Sequence, residues 1–258
     1  MSQLSIGEIG TREKNNMKAL IIPDVHLQGW MFIYADKIME KNKYDLVVVL
    51  GDLVDSHIYG ADLDAYKETM EAAALFAKKY RGRIIWLYGN HEIAYLDEKN
   101  CLCSGHNPLA TQIVNEGLRK IRDNLGEEAV VAARVDGVLF SHAGISDSYS
   151  DIPVLETDKQ PWREWEYVID TINNTRYENL MNPQSPIWYR PNYIFLPLNY
   201  GNCLQIAGHT PSKYPYFFHN LILMDTFYPS GANYFGVVDT ETYEVLYIDR
   251  ELNIISED

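Results

Sequence analysis

The chain has 258 residues, 47% of them apolar, which is enough to bury a core of its own. Its 22 basic and 36 acidic residues leave a formal charge of −14, which repels polyanions and excludes general nucleic-acid binding. No run approaches the roughly 20 apolar residues that span a bilayer, and residues 1–16 lack the apolar centre of a secretory signal, so the expectation is a cytoplasmic protein without membrane contact.

Residues 1–16 are polar, carry Gly7 and Gly10, and read as a flexible leader before a single domain over 17–258. Met17 to Pro23 predicts a first strand, Leu46 to Leu50 a second and Arg83 to Tyr88 a third, with a helical stretch from Asp62 to Tyr80 between the last two. Strand, helix, strand is the rhythm of a layered α/β fold. Pro108 to Leu125 reads as a helix, with Ile113, Leu118, Ile121 and Leu125 at spacings compatible with one face. Asp136-Gly137 then marks a hairpin between Val130–Val135 and Val138–Ser141.

Between Gly144 and Tyr200 tryptophans, tyrosines and six prolines replace the regular pattern. The expectation here is an irregular, cap-like region with one helix near Trp162 to Met181. Strands return at Cys203–Ala207, Leu221–Met224, Tyr234–Val238 and Tyr243–Ile248. The three cysteines, Cys101, Cys103 and Cys203, are sparse and odd in number, which suits a reducing compartment. Cys101-Leu-Cys103 with His106 lacks the CxxC spacing of structural zinc sites, and two free thiols in a loop is the plainer reading.

Five short motifs follow apolar runs, and each carries residue types that bind metals. They are Asp24-Val25-His26, Gly51-Asp52-Leu53-Val54-Asp55, Gly89-Asn90-His91-Glu92, Ser141-His142-Ala143-Gly144 and Gly208-His209-Thr210-Pro211. Ligands gather at the carboxyl ends of strands in open α/β sheets, so five such loops can converge on one crevice. Carboxylate, imidazole and amide oxygen suit borderline divalent ions such as Mn, Fe or Zn better than soft copper, and of these Mn is the expected metal.

In this order the motifs resemble those of the calcineurin-like metallophosphoesterase superfamily, nearest to its phosphoprotein phosphatase branch, which includes bacterial and phage protein phosphatases and symmetrical dinucleoside tetraphosphatases. The likeness runs from residue 24 to 211 and continues through Met224-Asp225-Thr226. It implies two central mixed β-sheets packed together and flanked by helices, an α/β/β/α sandwich. It implies two divalent metal ions, with Asp24 and His26 on the first, Asp52 bridging both, and Asn90, His142 and His209 on the second. It also implies His91 as general acid, oriented by Asp55, and Arg190 in Trp188-Tyr189-Arg190 as a clamp on the phosphate of a phosphorylated substrate. A hydroxide held between the ions would attack phosphorus in line.

The sequence departs from the pattern at two places. Pro23 stands where the family has Gly before the first Asp, and Asp55 is followed by Ser56-His57 where the branch has Arg-Gly. One of two expected phosphate-binding arginines is therefore missing. His57 is a candidate donor in its place, although an exposed loop histidine is the plainer reading. The leading expectation is a phosphate monoesterase, a protein phosphatase among them. The alternatives are a symmetrical dinucleoside polyphosphate hydrolase, a phosphodiesterase or nuclease, and a non-catalytic scaffold of the same fold.

Overall fold

Ala19 to Ile22 of β1 (Lys18–Ile22) are all buried, so both faces of this strand must be covered. Alternation along the strand assigns the cover. Leu20 and Ile22 pack with α1 (Trp30–Asn42), α2 (Leu63–Lys79) and α4 (Thr111–Leu125), whereas Ala19 and Ile21 turn towards a second sheet. β2 (Leu46–Val49) repeats the division, with Val47 and Val49 on the helical side and Val48 on the other. These facts come from a computed structural model that describes residues 17–56, 58, 60, 62–149, 161–199, 201–227 and 233–255. The expected leader lies outside the described residues, as does His57.

The first sheet has the order β11-β10-β9-β1-β2-β3, where β3 is Ile84–Trp86, β9 Phe235–Asp239, β10 Val245–Ile248 and β11 Ile254–Ile255. β1, β2 and β3 run parallel, and β9 joins β1 antiparallel. The second sheet, ordered β4-β5-β6-β8-β7, is built from β4 (Ala132–Val135), β5 (Val138–Ser141), β6 (Leu204–Ala207), β7 (Tyr216–Phe218) and β8 (Leu221–Leu223). β5, β6 and β8 run parallel there. Val138, Phe140, Ile206 and Ile222 meet Ile21 and Val48 between the sheets. On the outer side Leu139 and Ala132 pack with Trp165, Val168 and Ile172 of α5 (Pro161–Asn173). Two mixed sheets with helices on both outer faces form the expected α/β/β/α sandwich. No described helix is long and apolar enough to cross a membrane.

Local chemistry explains the element ends. Asp62 caps α2 by accepting from the backbone N–H groups of Asp64 and Ala65. The hairpin pairs Val135 with Val138, and Asp136 takes the left-handed conformation at φ 50°. Pro108–Ala110 forms a 3₁₀ turn before α4, whose buried face is Val114, Leu118, Ile121 and Leu125, with Ile113 only half-buried. Two helices have no counterpart in the sequence-based expectation. α1 starts at Gly29, which has no side chain to cap it, and α3 (Asn90–Leu96) has seven residues, too few to display a period.

Candidate active site

Six parallel strands end on the site. After β1 come Asp24 and His26, after β2 Asp52 and Asp55, and after β3 Asn90 and His91 at the start of α3. β5 leads to His142, β6 to His209 and β8 to Asp225. All nine are buried except His26 and His91, which are half-buried.

The backbone is strained where these residues sit. His26, Asp52, Asp55 and His209 have φ of 43°, 49°, 59° and 61°, in the left-handed region that costs an L-residue free energy. Such strain, of order 1–3 kcal/mol per residue, persists only where the surroundings hold it. Here Glu92, fully buried, accepts from the N–H groups of Asp52 at 2.8 Å, Leu53 at 2.6 Å and Gly89 at 2.8 Å, and so clips the β2 loop to the start of α3. Two glycines let carboxylates press against backbone. A Cβ on Gly89 would lie 2.0 Å from Asp52 Oδ1, and one on Gly208 would lie 1.8 Å from Asp24 Oδ1.

Asp52 is the hub. Its Oδ2 lies 3.7 Å from His26 Nε2, 3.9 Å from His91 Nε2 and 3.2 Å from His142 Nε2. Two donor groups, His26–Asp52–His91 and Asp52–His142–His209, share it. His142 Nε2 is also 3.1 Å from Asn90 Oδ1, while its Nδ1 lies 2.8 Å from the Leu50 carbonyl and so carries the proton that leaves Nε2 for the site. His209 donates its backbone N–H to Asp24 Oδ2 at 2.9 Å, and its ring meets that of His142 at 5.1 Å.

The electrostatics of this cluster call for cations. Burial and the neighbouring Asp225 push the Asp24 carboxyl well above the usual carboxylate range. Burial, with repulsion from Asp52, pushes Asp225 up to about 6. Burial also disfavours the charged form of Asp52, but His142 and His91 outweigh it and hold that carboxyl well below the usual range. His142 in turn rises to about 9, because Asp52 and Asp24 overcome the cost of burying its charge. Burial, His142 and Arg190 push His209 well below the ordinary imidazole value, so it stays neutral. Among the described residues, Asp24 Oδ1, Asp225 Oδ1 and His209 Nε2 are buried without a hydrogen-bond partner. Buried polar atoms left unpaired are costly. Three such atoms around a shared carboxylate fit a pair of divalent ions, and oxygen with imidazole is the donor set such ions take.

A second layer orients His91. Its Nδ1 lies 2.8 Å from Asp55 Oδ2, and Asp55 Oδ1 accepts from the hydroxyls of Tyr66 at 2.6 Å and Tyr95 at 2.5 Å. Burial opposes a charge on His91, yet Asp52 and the hydrogen bond to Asp55 raise its pKa well above the ordinary value. Arg190 lies exposed at the rim, with Nη1 3.1 Å from the His209 carbonyl and 3.4 Å from Thr210 Oγ1. Thus Asp24, His26, Asp52, Asn90, His142 and His209, with His91, Asp55 and Arg190, gather in one region, while His57 lies outside the described residues.

Sequence reasoning passed over Asp225 as a site residue, although it too follows an apolar strand. It also missed the Glu92 clip, the two tyrosines and Cys103, whose Sγ lies 3.3 Å from His91 Nδ1. The tyrosines carried no sequence signal, because only the packing of α2 and α3 aims them at Asp55.

A family model described as calcineurin-like phosphoesterase matches residues 17–235. No curated protein matches the sequence. Among solved structures, an archaeal phosphodiesterase is 14% identical, with 90% of this chain and 99% of that chain covered at a TM-score of 0.40. The phosphoesterase Yfce from E. coli is 13% identical over 93% of this chain and 97% of that one, at a TM-score of 0.43. A protein serine/threonine phosphatase from Saccharomyces cerevisiae is 11% identical over 94% and 81%, at a TM-score of 0.43.

Proposed function

This chain belongs to the calcineurin-like phosphoesterase family and is a metal-dependent phosphoester hydrolase, and from that premise we propose that it hydrolyses phosphate monoesters, phosphoprotein side chains among them. The observation that carries the site is Asp52, one buried carboxylate shared by two donor groups, together with Asp24 Oδ1, Asp225 Oδ1 and His209 Nε2, which lack a hydrogen-bond partner among the described residues. In this reading Asp24, His26 and Asp52 would hold one divalent ion, and Asp52 with Asn90, His142 and His209 a second, with manganese the favoured metal. The ions, when bound, supply Lewis acidity that activates water and neutralises phosphoryl charge.

The chain's own residues then do three things. The Glu92 clip and the carbonyl of Leu50 fix Asp52 and His142 before substrate arrives, so little reorganisation accompanies reaction. His91 gives a proton to the departing oxygen from Nε2, because Asp55 keeps Nδ1–H engaged on the far side of the ring. Arg190, anchored on His209 O and Thr210, offers its guanidinium to the terminal oxygens of a dianionic phosphate. A monoester brings that dianion; a diester does not.

Phosphodiester hydrolysis is the second reading, favoured by one observation: Ser56-His57 stands where the phosphatase branch has Arg-Gly. Manganese-loaded protein given p-nitrophenyl phosphate and bis-p-nitrophenyl phosphate separates the two. A higher kcat/KM on the monoester supports the proposal, and a higher value on the diester overturns it.

A further inference from the structure

Behind His91, on the face away from Asp52, a loop between α3 and α4 delivers a thiol. The loop is pinned at both ends. Cys101 is fully buried and donates its N–H to the Asp97 carbonyl at 2.8 Å. Asn107 donates its own N–H to the Tyr95 hydroxyl at 3.0 Å and its side-chain N–H to the Gly60 carbonyl at 2.8 Å. Gly105 sits so close that a Cβ there would lie 3.6 Å from Asp55 Cβ. Cys103, half-buried between these anchors, is therefore held against the His91–Asp55 pair.

The three side chains make a closed triangle of donors. Cys103 Sγ is 3.3 Å from His91 Nδ1 and 3.9 Å from Asp55 Oδ2, and those two atoms are 2.8 Å apart. In a tetrahedral zinc site with Zn–S about 2.3 Å and Zn–N and Zn–O about 2.0–2.1 Å, donor atoms stand roughly 3.3–3.6 Å apart. Each edge of the triangle is within about half an ångström of that. The division of labour on Asp55 agrees, since Oδ1 takes both tyrosine hydroxyls and Oδ2 faces the imidazole and the thiol.

We propose that Asp55, His91 and Cys103 form a third metal site, selective for zinc, that silences the enzyme by capturing Nδ1 of His91. Selectivity follows from the sulfur: a thiolate favours zinc, whereas manganese prefers oxygen donors. On binding, the thiol proton and the Nδ1 proton pass to solvent. His91 then keeps only the Nε2–H of a neutral imidazole bound to a cation, a far weaker acid than imidazolium. The silencing, unlike the binding, rests on the reading of His91 as the general acid.

The test uses the manganese-loaded full chain. Cobalt, zinc's spectroscopic stand-in, should give a thiolate-to-cobalt charge-transfer band that is absent from Cys103→Ser and Cys103→Ala. Zinc at one equivalent should slow labelling of Cys103 by a thiol reagent at least about tenfold, and lower turnover of an alkyl phosphate by a similar factor. Each variant, compared with its own zinc-free rate, should need at least about tenfold more zinc for the same inhibition. No thiolate band overturns the site, and a band with the same zinc sensitivity in both variants as in the native chain overturns the silencing through it. A band and slowed labelling with undiminished turnover would keep the site but overturn the silencing, and with it the role of His91.

Discussion

Asp55→Asn separates the proposed acid catalyst, His91, from the proposed metal site with the least change of shape. Asp55 now divides its oxygens, Oδ1 to Tyr66 at 2.6 Å and Tyr95 at 2.5 Å, and Oδ2 to His91 Nδ1 at 2.8 Å. Asparagine has one acceptor oxygen. If that oxygen keeps both tyrosines, the amide N–H faces Nδ1, which must then be an unprotonated acceptor. His91 is left neutral, with its proton on Nε2 but little tendency to release it. The full contribution of a general acid, about 10²–10⁴-fold in rate, should disappear, which corresponds to roughly 3–5 kcal/mol. The size must depend on the leaving group. A phosphoserine peptide expels an alkoxide that needs the proton, so kcat should fall by about 10²–10⁴. p-Nitrophenolate leaves as a stable anion, so the loss there should stay below about tenfold. Metal content should not change. Equal losses on the two substrates, or metal lost with the substitution, would refute the reasoning.

Other perturbations address other links. Gly208→Ala needs no left-handed backbone, but its Cβ would lie 1.8 Å from Asp24 Oδ1. Calorimetric titration should show metal affinity reduced roughly tenfold or more in a folded protein. Glu92→Gln sets an amide N–H against backbone donors that now share a carboxylate, so thermal unfolding should show roughly 2–4 kcal/mol lost. His142 stands near pKa 9 in the metal-free protein and must be neutral to ligate, so metal binding should release protons and weaken as pH falls below about 9. In the metal-free state that raised pKa contributes stability fully present below the unfolded imidazole value and lost as pH rises through about 9. Melting temperatures of the chelated protein across that range measure it; a contribution that grew with pH would contradict the assignment.

The fold was legible where the chain's periodicity is strong. β1 and β2, buried on both faces, read as continuous apolar runs, and the helical stretch from Asp62 to Tyr80 corresponds to α2. α1 and α3 were not legible, the first for lack of a capping side chain, the second for shortness. Within the site, residue types at strand ends pointed to Asp24, Asp52, His142 and His209 because chemistry and position coincide there. The left-handed conformations of His26, Asp52, Asp55 and His209 could not be read, since the neighbouring glycines Gly51, Gly89 and Gly208 announce a tight backbone but not which residue carries the strain. The set of Tyr66, Tyr95 and Cys103 around Asp55 depends on long-range packing, which no local spacing encodes.

The central claim is that one carboxylate, Asp52, joins two ions into a single centre. Electron paramagnetic resonance of the protein titrated with manganese tests it most directly. Two equivalents per chain with an exchange-coupled spectrum, replaced in Asp52→Asn by weaker binding and uncoupled signals, is the result expected. A single equivalent, or two uncoupled ions in the native chain, would contradict the account.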